Sequence, residues 1–137
     1  MTDVYSPHKR SEIMSRVRNK KTGIENDVAV ILRALKFRFK RNIRSLPGQP
    51  DFVIPLHRTV VFVHGCFWHG HFNCERAKLP STNRAFWKKK IQTNKKRDRA
   101  NFYLLRKRGW HIFTIWQCKM KNKAGLISHL LRIKKCS

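Results

Sequence analysis

Acidic side chains are so scarce in this chain that electrostatics constrains any fold it can adopt. Its 137 residues hold 32 Lys and Arg against 7 Asp and Glu, a formal net charge of +25. Self-repulsion on that scale opposes a compact state unless a polyanion relieves it. Nucleic acid is the partner this implies, because each neutralised phosphate releases a counterion and adds affinity. A ribosomal-type structural RNA binder would satisfy the same charge. A membrane-surface role fits poorly, since the basic residues are spread along the whole length and not along one amphipathic helix. The length suits one domain over residues 1–137, with a core that needs no disulfides. No apolar run approaches transmembrane length, and Met1-Thr2-Asp3-Val4 opens no signal core. The chain is therefore read as cytoplasmic, where its 4 Cys stay reduced and serve better as metal ligands than as disulfides.

Residues 1–20 are expected to form a basic arm and a short helix, Ser11 capping Glu12 to Val17 with Ile13, Met14 and Val17 on its apolar face. A firmer helix runs from Thr22 to about Lys36, since Ile24, Val28, Ile31, Leu32 and Leu35 follow helical spacing and Thr22-Gly23-Ile24-Glu25 reads as a capping box. Phe37, Phe39 and Arg41 alternate as a strand would. Asp51 to Ile54 and Thr59 to Val63 read as a hairpin with a Pro-containing turn. A Gly-, His- and Cys-rich loop from His64 to Pro80 leads to a long helix that begins near Ser81 or Thr82 and stops at Gly109, a good residue just past a helix end. Its inward stripe is Trp87, Ile91, Asn94, Asp98, Phe102 and Leu105, of which Asn94 and Asp98 are polar. Trp110 to Trp116 is another strand. Leu126, Ile127, Leu130 and Leu131 mark a helix within a basic C-terminal segment, 121–137. The order predicts an α/β fold, a small mixed central sheet flanked by helices.

With so few acids, their placement is informative. Asp51 follows Pro50 at the start of a buried strand, where a carboxylate either caps a turn or serves a site. Helical spacing turns Asp98 toward the sheet, either to pair with an Arg inside the fold or to join that site. Glu25 is explained by the capping box alone, and a capping Glu can also lean toward a neighbouring site. Magnesium takes oxygen ligands and tolerates one or two carboxylates supplemented by backbone carbonyls, water and phosphate. His64 and His69 bracket Gly65-Cys66-Phe67-Trp68 beyond a strand end, positioned to act as a general base or to hold water near a phosphate.

Cys66, His71 and Cys74 lie within nine residues of one another, and Cys118 follows the last strand. Three thiolates and an imidazole make the closed tetrahedral set typical of structural zinc; the alternative is buried free thiols packing as small hydrophobes. Cys136 stands apart in the basic tail. Phe67 and Trp68 are adjacent aromatics between Gly65 and Gly70, an exposed place for large apolar groups. They serve either as a local core around the metal or as wedges that unstack bases.

The stretch Val61-Phe62-Val63-His64-Gly65-Cys66-Phe67-Trp68-His69 resembles the signature of very-short-patch-repair (Vsr-type) endonucleases. It is supported by Leu46-Pro47-Gly48-Gln49-Pro50-Asp51-Phe52-Val53 upstream and by Phe86-Trp87, Lys90-Ile91, Asn94 and Arg97-Asp98 downstream. Gly109-Trp110 and Trp116-Gln117-Cys118 extend the resemblance over roughly residues 9 to 120. It implies a restriction-endonuclease-like fold and an enzyme that nicks double-stranded DNA 5′ to the thymine of a T:G mismatch left by 5-methylcytosine deamination. It also implies that Asp51 and the main-chain carbonyl of Val63 hold catalytic Mg²⁺, that His69 is the catalytic histidine, and that Glu25, His64 and Asp98 hold metal-bound waters and phosphate. Cys66, His71, Cys74 and Cys118 match the ligands of structural Zn²⁺, and Met14, Phe67, Trp68 and Trp87 match side chains that wedge beside the mismatch. Implied partners are T:G-mismatched DNA, a cognate cytosine methyltransferase and mismatch-repair proteins, with the protein on the bacterial nucleoid when bound. A zinc-stabilised DNA- or RNA-binding module without catalysis would explain the charge and the aromatics, but not the inward Asp98 or the Asp51 and His69 pair. A nuclease of the same fold with another target also fits these residues.

Overall fold

A computed structural model describes residues 23–135. The N-terminal arm and short helix, Met14 and Thr22 with them, lie outside the described residues, as does Cys136. Four strands form one sheet in the order β1 (Lys40–Arg41), β2 (Phe52–Ile54), β3 (Thr59–His64) and β4 (His111–Trp116). β1–β2 and β2–β3 are antiparallel, while β3–β4 is parallel. A parallel pair needs a long crossover, and the 24-residue helix α2 (Arg84–Lys107) lies within it. This is the mixed α/β architecture expected from the sequence.

Alternation along the strands sorts the core into two layers. Phe52, Ile54, Val61, Val63 and Ile115 meet Val28 and Leu32 of helix α1 (residues 23–34), together with Leu126 and Leu130 of α3 (Lys123–Leu131). On the opposite face Val53, Val60 and Phe62 pack with Phe102 and Leu105 of α2. Strands covered on both sides carry continuous apolar runs instead of alternating ones, which is what β2 and β3 show. Asn122 starts α3 by accepting the Gly125 N–H on its side chain at 3.0 Å, so the C-terminal segment enters the core through this helix.

Two helix ends share one mechanism. Lys36 (φ 64) and Gly109 (φ 87) take the left-handed conformation. The next N–H then reaches back five residues, Phe37 to the Leu32 carbonyl at 3.0 Å and Trp110 to the Leu105 carbonyl at 3.1 Å. These are Schellman closures with their usual apolar contact between the bonded residues. The first corrects the sequence reading: Phe37 is consumed in ending α1, so only Lys40–Arg41 reaches β2 as strand. α2 begins at Arg84 and not at Ser81 or Thr82, because Asn83 takes φ 56 immediately before it. β4 likewise starts one residue after Trp110. The β2–β3 hairpin is as expected, closed by a 3₁₀ turn at Pro55–His57 and left-handed Arg58.

Parallel pairing brings the C-terminal ends of β3 and β4 together, His64 opposite Trp116. The antiparallel hairpin carries the start of β2, and hence Asp51, to that same end. No helix among the described residues is long and apolar enough to cross a membrane.

Candidate active site and metal centre

Asp51 is only 8 % exposed, and its Oδ2 accepts the Val63 N–H at 2.6 Å. A charged acceptor makes such a bond short and strong, so β3 fixes the orientation of this carboxylate. In an extended strand a residue's N–H and C=O point the same way, so the Val63 carbonyl also faces the Asp51 side.

His64 ends β3 and is buried. Its ring lies flat on that of His69, centroids 3.7 Å apart and planes 2° from parallel. Phe102 of α2 and Trp116 of β4 wall the pair. His69 Nδ1 lies 2.7 Å from Asp98 Oδ2. An ionised carboxylate only accepts, so Nδ1 carries the proton, which leaves Nε2 as the nitrogen that faces the reacting groups. Burial raises the Asp98 carboxyl, but the His69 hydrogen bond and the positive fields of His69, His64 and Arg97 outweigh it and hold the group below its ordinary range. The acceptor is therefore ionised at neutral pH. His64, His69 and Asp98 bring their ligand-capable atoms within 4.8 Å of one another. Glu25 sits half-buried near the start of the described part of α1.

The loop carrying His69 is tied down by side chains from α2 that the sequence reading did not assign. Asn94 Nδ2 donates to the Trp68 carbonyl at 2.9 Å, and Arg97 donates to Asn94 Oδ1 at 2.7 Å. Asn94 was visible as a polar member of an inward stripe, but its partner, a main-chain carbonyl 26 residues away, leaves no sequence signal. Gly70 follows His69 with φ +57 against α2, where a Cβ would lie 2.7 Å from Ile91 Cγ2 and 2.6 Å from Lys95 Cε. Only glycine fits this approach.

Phe67 and Trp68 are half-buried, a correction to the exposed setting expected for them. They form a triangle with Trp87 of α2, ring centroids 5.5, 5.6 and 5.9 Å apart in edge-to-face geometry. Such pairs are favourable beyond the area they bury. The three rings therefore hold one another in place beside the histidines.

Beyond them, Cys66, His71, Cys74 and Cys118 gather with all donor atoms within 4.8 Å. Cys118 Sγ is 3.4 Å from His71 Nδ1, close to the edge of about 3.6 Å in a tetrahedron with zinc–sulfur and zinc–nitrogen bonds of about 2.3 and 2.0–2.1 Å. Burial lowers the His71 pKa, and Lys119 adds to this, so the ring is held in its neutral, ligating form. Burial pushes the Cys66 thiol up to about 12. A buried thiol of that kind becomes a thiolate only against a strong positive charge, and a metal ion supplies one. The donor set thus fits a metal; it does not resemble thiols filling a core. Trp116 joins the two centres, its ring stacked on His71 at 4.1 Å and edge-on to His64 at 5.1 Å.

The family model described as DNA mismatch endonuclease Vsr matches residues 2–76. Similar proteins include the type II nicking enzyme V.XorIIP of Xanthomonas oryzae pv. oryzae, 40% identical over 97% of this chain and 97% of that one. The type II nicking enzyme V.NmeAIP of Neisseria meningitidis serogroup A is 40% identical over 97% of this chain and 94% of its own. The DNA mismatch endonuclease Vsr of Escherichia coli is 37% identical over 96% of this chain and 83% of its own.

Proposed function

The chain belongs to the DNA mismatch endonuclease Vsr family, and we propose that it nicks double-stranded DNA 5′ to the thymine of T:G mismatches produced by 5-methylcytosine deamination. The observation that carries this reading is the His69–Asp98 pair beside the β3-oriented Asp51 carboxylate. A nucleic-acid-binding module has no use for an oriented imidazole at the sheet end where a lone buried acid also sits.

The chemistry follows from these groups. Asp51 and the Val63 carbonyl are oxygen donors facing one side of β3, a set suited to Mg²⁺. Bound magnesium would neutralise charge on the scissile phosphate and on the leaving oxygen. His69 takes the proton from the attacking water at Nε2, while Asp98 stabilises the resulting imidazolium and keeps its tautomer. His64 stacks on the ring and fixes its plane. Together with Glu25 it would hold water and phosphate at the rim. Phe67, Trp68 and Trp87 supply the apolar wedge, entering with Met14 beside the mismatch, where a wobble pair lowers the cost of unstacking. The four-ligand centre holds structural Zn²⁺ and anchors the loop between β3 and α2. The protein acts in the cytoplasm on nucleoid DNA, beside a cytosine methyltransferase and mismatch-repair proteins.

A nicking assay on T:G and fully paired T:A duplexes, with and without Mg²⁺, tests the reading. Mg²⁺-dependent cleavage confined to the mismatch is the expected result. Equal cleavage of both duplexes would assign the same chemistry to another target, and no cleavage with intact binding would remove catalysis altogether.

A further inference from the structure

Phe72 is 89 % exposed, more than any other large hydrophobic side chain among the described residues. Its position follows from the loop: His71 and Cys74 turn inward to the four-ligand cluster, and Asn73 between them takes φ 53. Phe72 is thereby held on the outside of a loop whose ends are fixed. It stands on the ridge between two grooves. One, of about 320 Å³, runs between the loop and α2 and includes Gly70, Leu79, Lys88 and Lys95 in its lining. The other, of about 600 Å³, is bordered by Arg76, Lys119 and Lys121. Glu75 is the only acid in either lining.

The first groove begins one residue after His69. The Lys95 stem lies over Gly70, so close that a Cβ there would sit 2.6 Å from Cε and 3.3 Å from Nζ. The missing side chain therefore lets a lysine ammonium settle beside the loop that carries the general base. α2 has one acid, Asp98, and that acid is committed to His69. Nothing acidic on the helix competes for Lys88 or Lys95.

We propose that the tip of the metal loop is a second DNA contact, in which Phe72 packs against the duplex and Lys88 and Lys95 neutralise backbone phosphates flanking the nick. This rests on the proposed function, because it takes the duplex bound at His69 as the one that continues past the loop. An aromatic ridge between cationic grooves matches a sugar–phosphate backbone, in which charged phosphates alternate with less polar sugars.

The test is equilibrium binding to a fully paired duplex without added divalent cation, over 50 to 200 mM salt, so that neither nicking nor mismatch recognition enters. The double variant Lys88→Ala/Lys95→Ala is expected to lower the salt slope by roughly 1.8, so the affinity lost across that range shrinks roughly tenfold. Phe72→Ala removes apolar surface buried against the duplex and is expected to weaken binding about fivefold or more at every salt concentration with the slope unchanged. Arg106→Ala/Lys107→Ala removes the same charge at the far end of α2 and controls for net charge. If that pair lowers the slope as much as Lys88→Ala/Lys95→Ala, or if the groove variant leaves the slope intact, the proposal is overturned. A protein that fails to nick but shows the groove effect would overturn the nicking reading alone.

Discussion

Asp98 Oδ2 holds Nδ1 of His69 at 2.7 Å, linking the middle of α2 to a loop 29 residues earlier in the chain. The pair sets a tautomer, an orientation and a charge with one contact. His69→Ala should slow single-turnover nicking by about 10²–10⁴, the usual contribution of a general acid–base group. Asp98→Asn keeps the shape and loses the charge, so its rate should fall between that variant and the wild type, with duplex binding retained. A wild-type rate for Asp98→Asn would show that His69 needs no orienting carboxylate.

The same pair predicts an acid response. The Asp98 carboxyl is held below its ordinary range in the folded state. Its stabilising effect is therefore complete above the unfolded value of about 4 and is lost as the pH falls through the folded one. The melting temperatures of wild type and Asp98→Asn should differ at neutral pH and converge as the pH drops below about 4. A constant gap down to acid would mean that the contact contributes no charge-dependent stability.

Much of this was legible in the sequence, and the gaps have physical causes. Short continuous apolar runs located β2 and β3 because both faces of the sheet are covered there, and a 3.6-residue period located α2. Gly109 marked the end of α2 because a left-handed residue there favours glycine. The corresponding closure of α1 falls on Lys36, which carries no such mark, so Phe37 and Phe39 looked like strand. The inward placement of Asp98 and the gathering of Cys66, His71, Cys74 and Cys118 could be read from residue type and spacing. Asn94 holding the Trp68 carbonyl and Trp116 joining the two histidine groups depend on chain crossings that spacing does not encode.

For the metal centre, the purified protein should carry one zinc per chain. Cys118→Ala should lose it along with much of the thermal stability, because binding to a folded site contributes folding free energy directly. Cys136→Ala should do neither. Metal analysis and thermal unfolding on the same samples decide this, and a folded, active protein free of zinc would contradict it.

Gly70→Ala places a methyl group 2.7 Å from Ile91 Cγ2 at a backbone conformation that side chains disfavour. Strain and overpacking together should destabilise the fold by about 1–3 kcal/mol and slow nicking through displacement of His69. Urea unfolding reads the first effect. Unchanged stability would mean that the loop moves off α2 without penalty.

Trp68 and Trp87 brace one another, with Phe67 completing the triangle. Trp68→Ala should therefore reduce the preference for T:G over T:A duplex more than it reduces total affinity. Equal weakening on both duplexes, with the fold intact, would reduce the cluster to a packing role.

Asp51 is the residue we propose to hold the metal that acts on the phosphate. Its carboxylate is buried, oriented by the Val63 N–H, and the only acid on the β2–β3 hairpin. Asp51→Asn preserves the shape and removes the charge, and it also removes one negative charge beside DNA. Single-turnover nicking of a T:G duplex in Mg²⁺ by this variant is the most direct measurement. No detectable cleavage is expected, with mismatched duplex bound as tightly as by the wild type or more tightly. Substantial cleavage by Asp51→Asn would place the catalytic metal elsewhere.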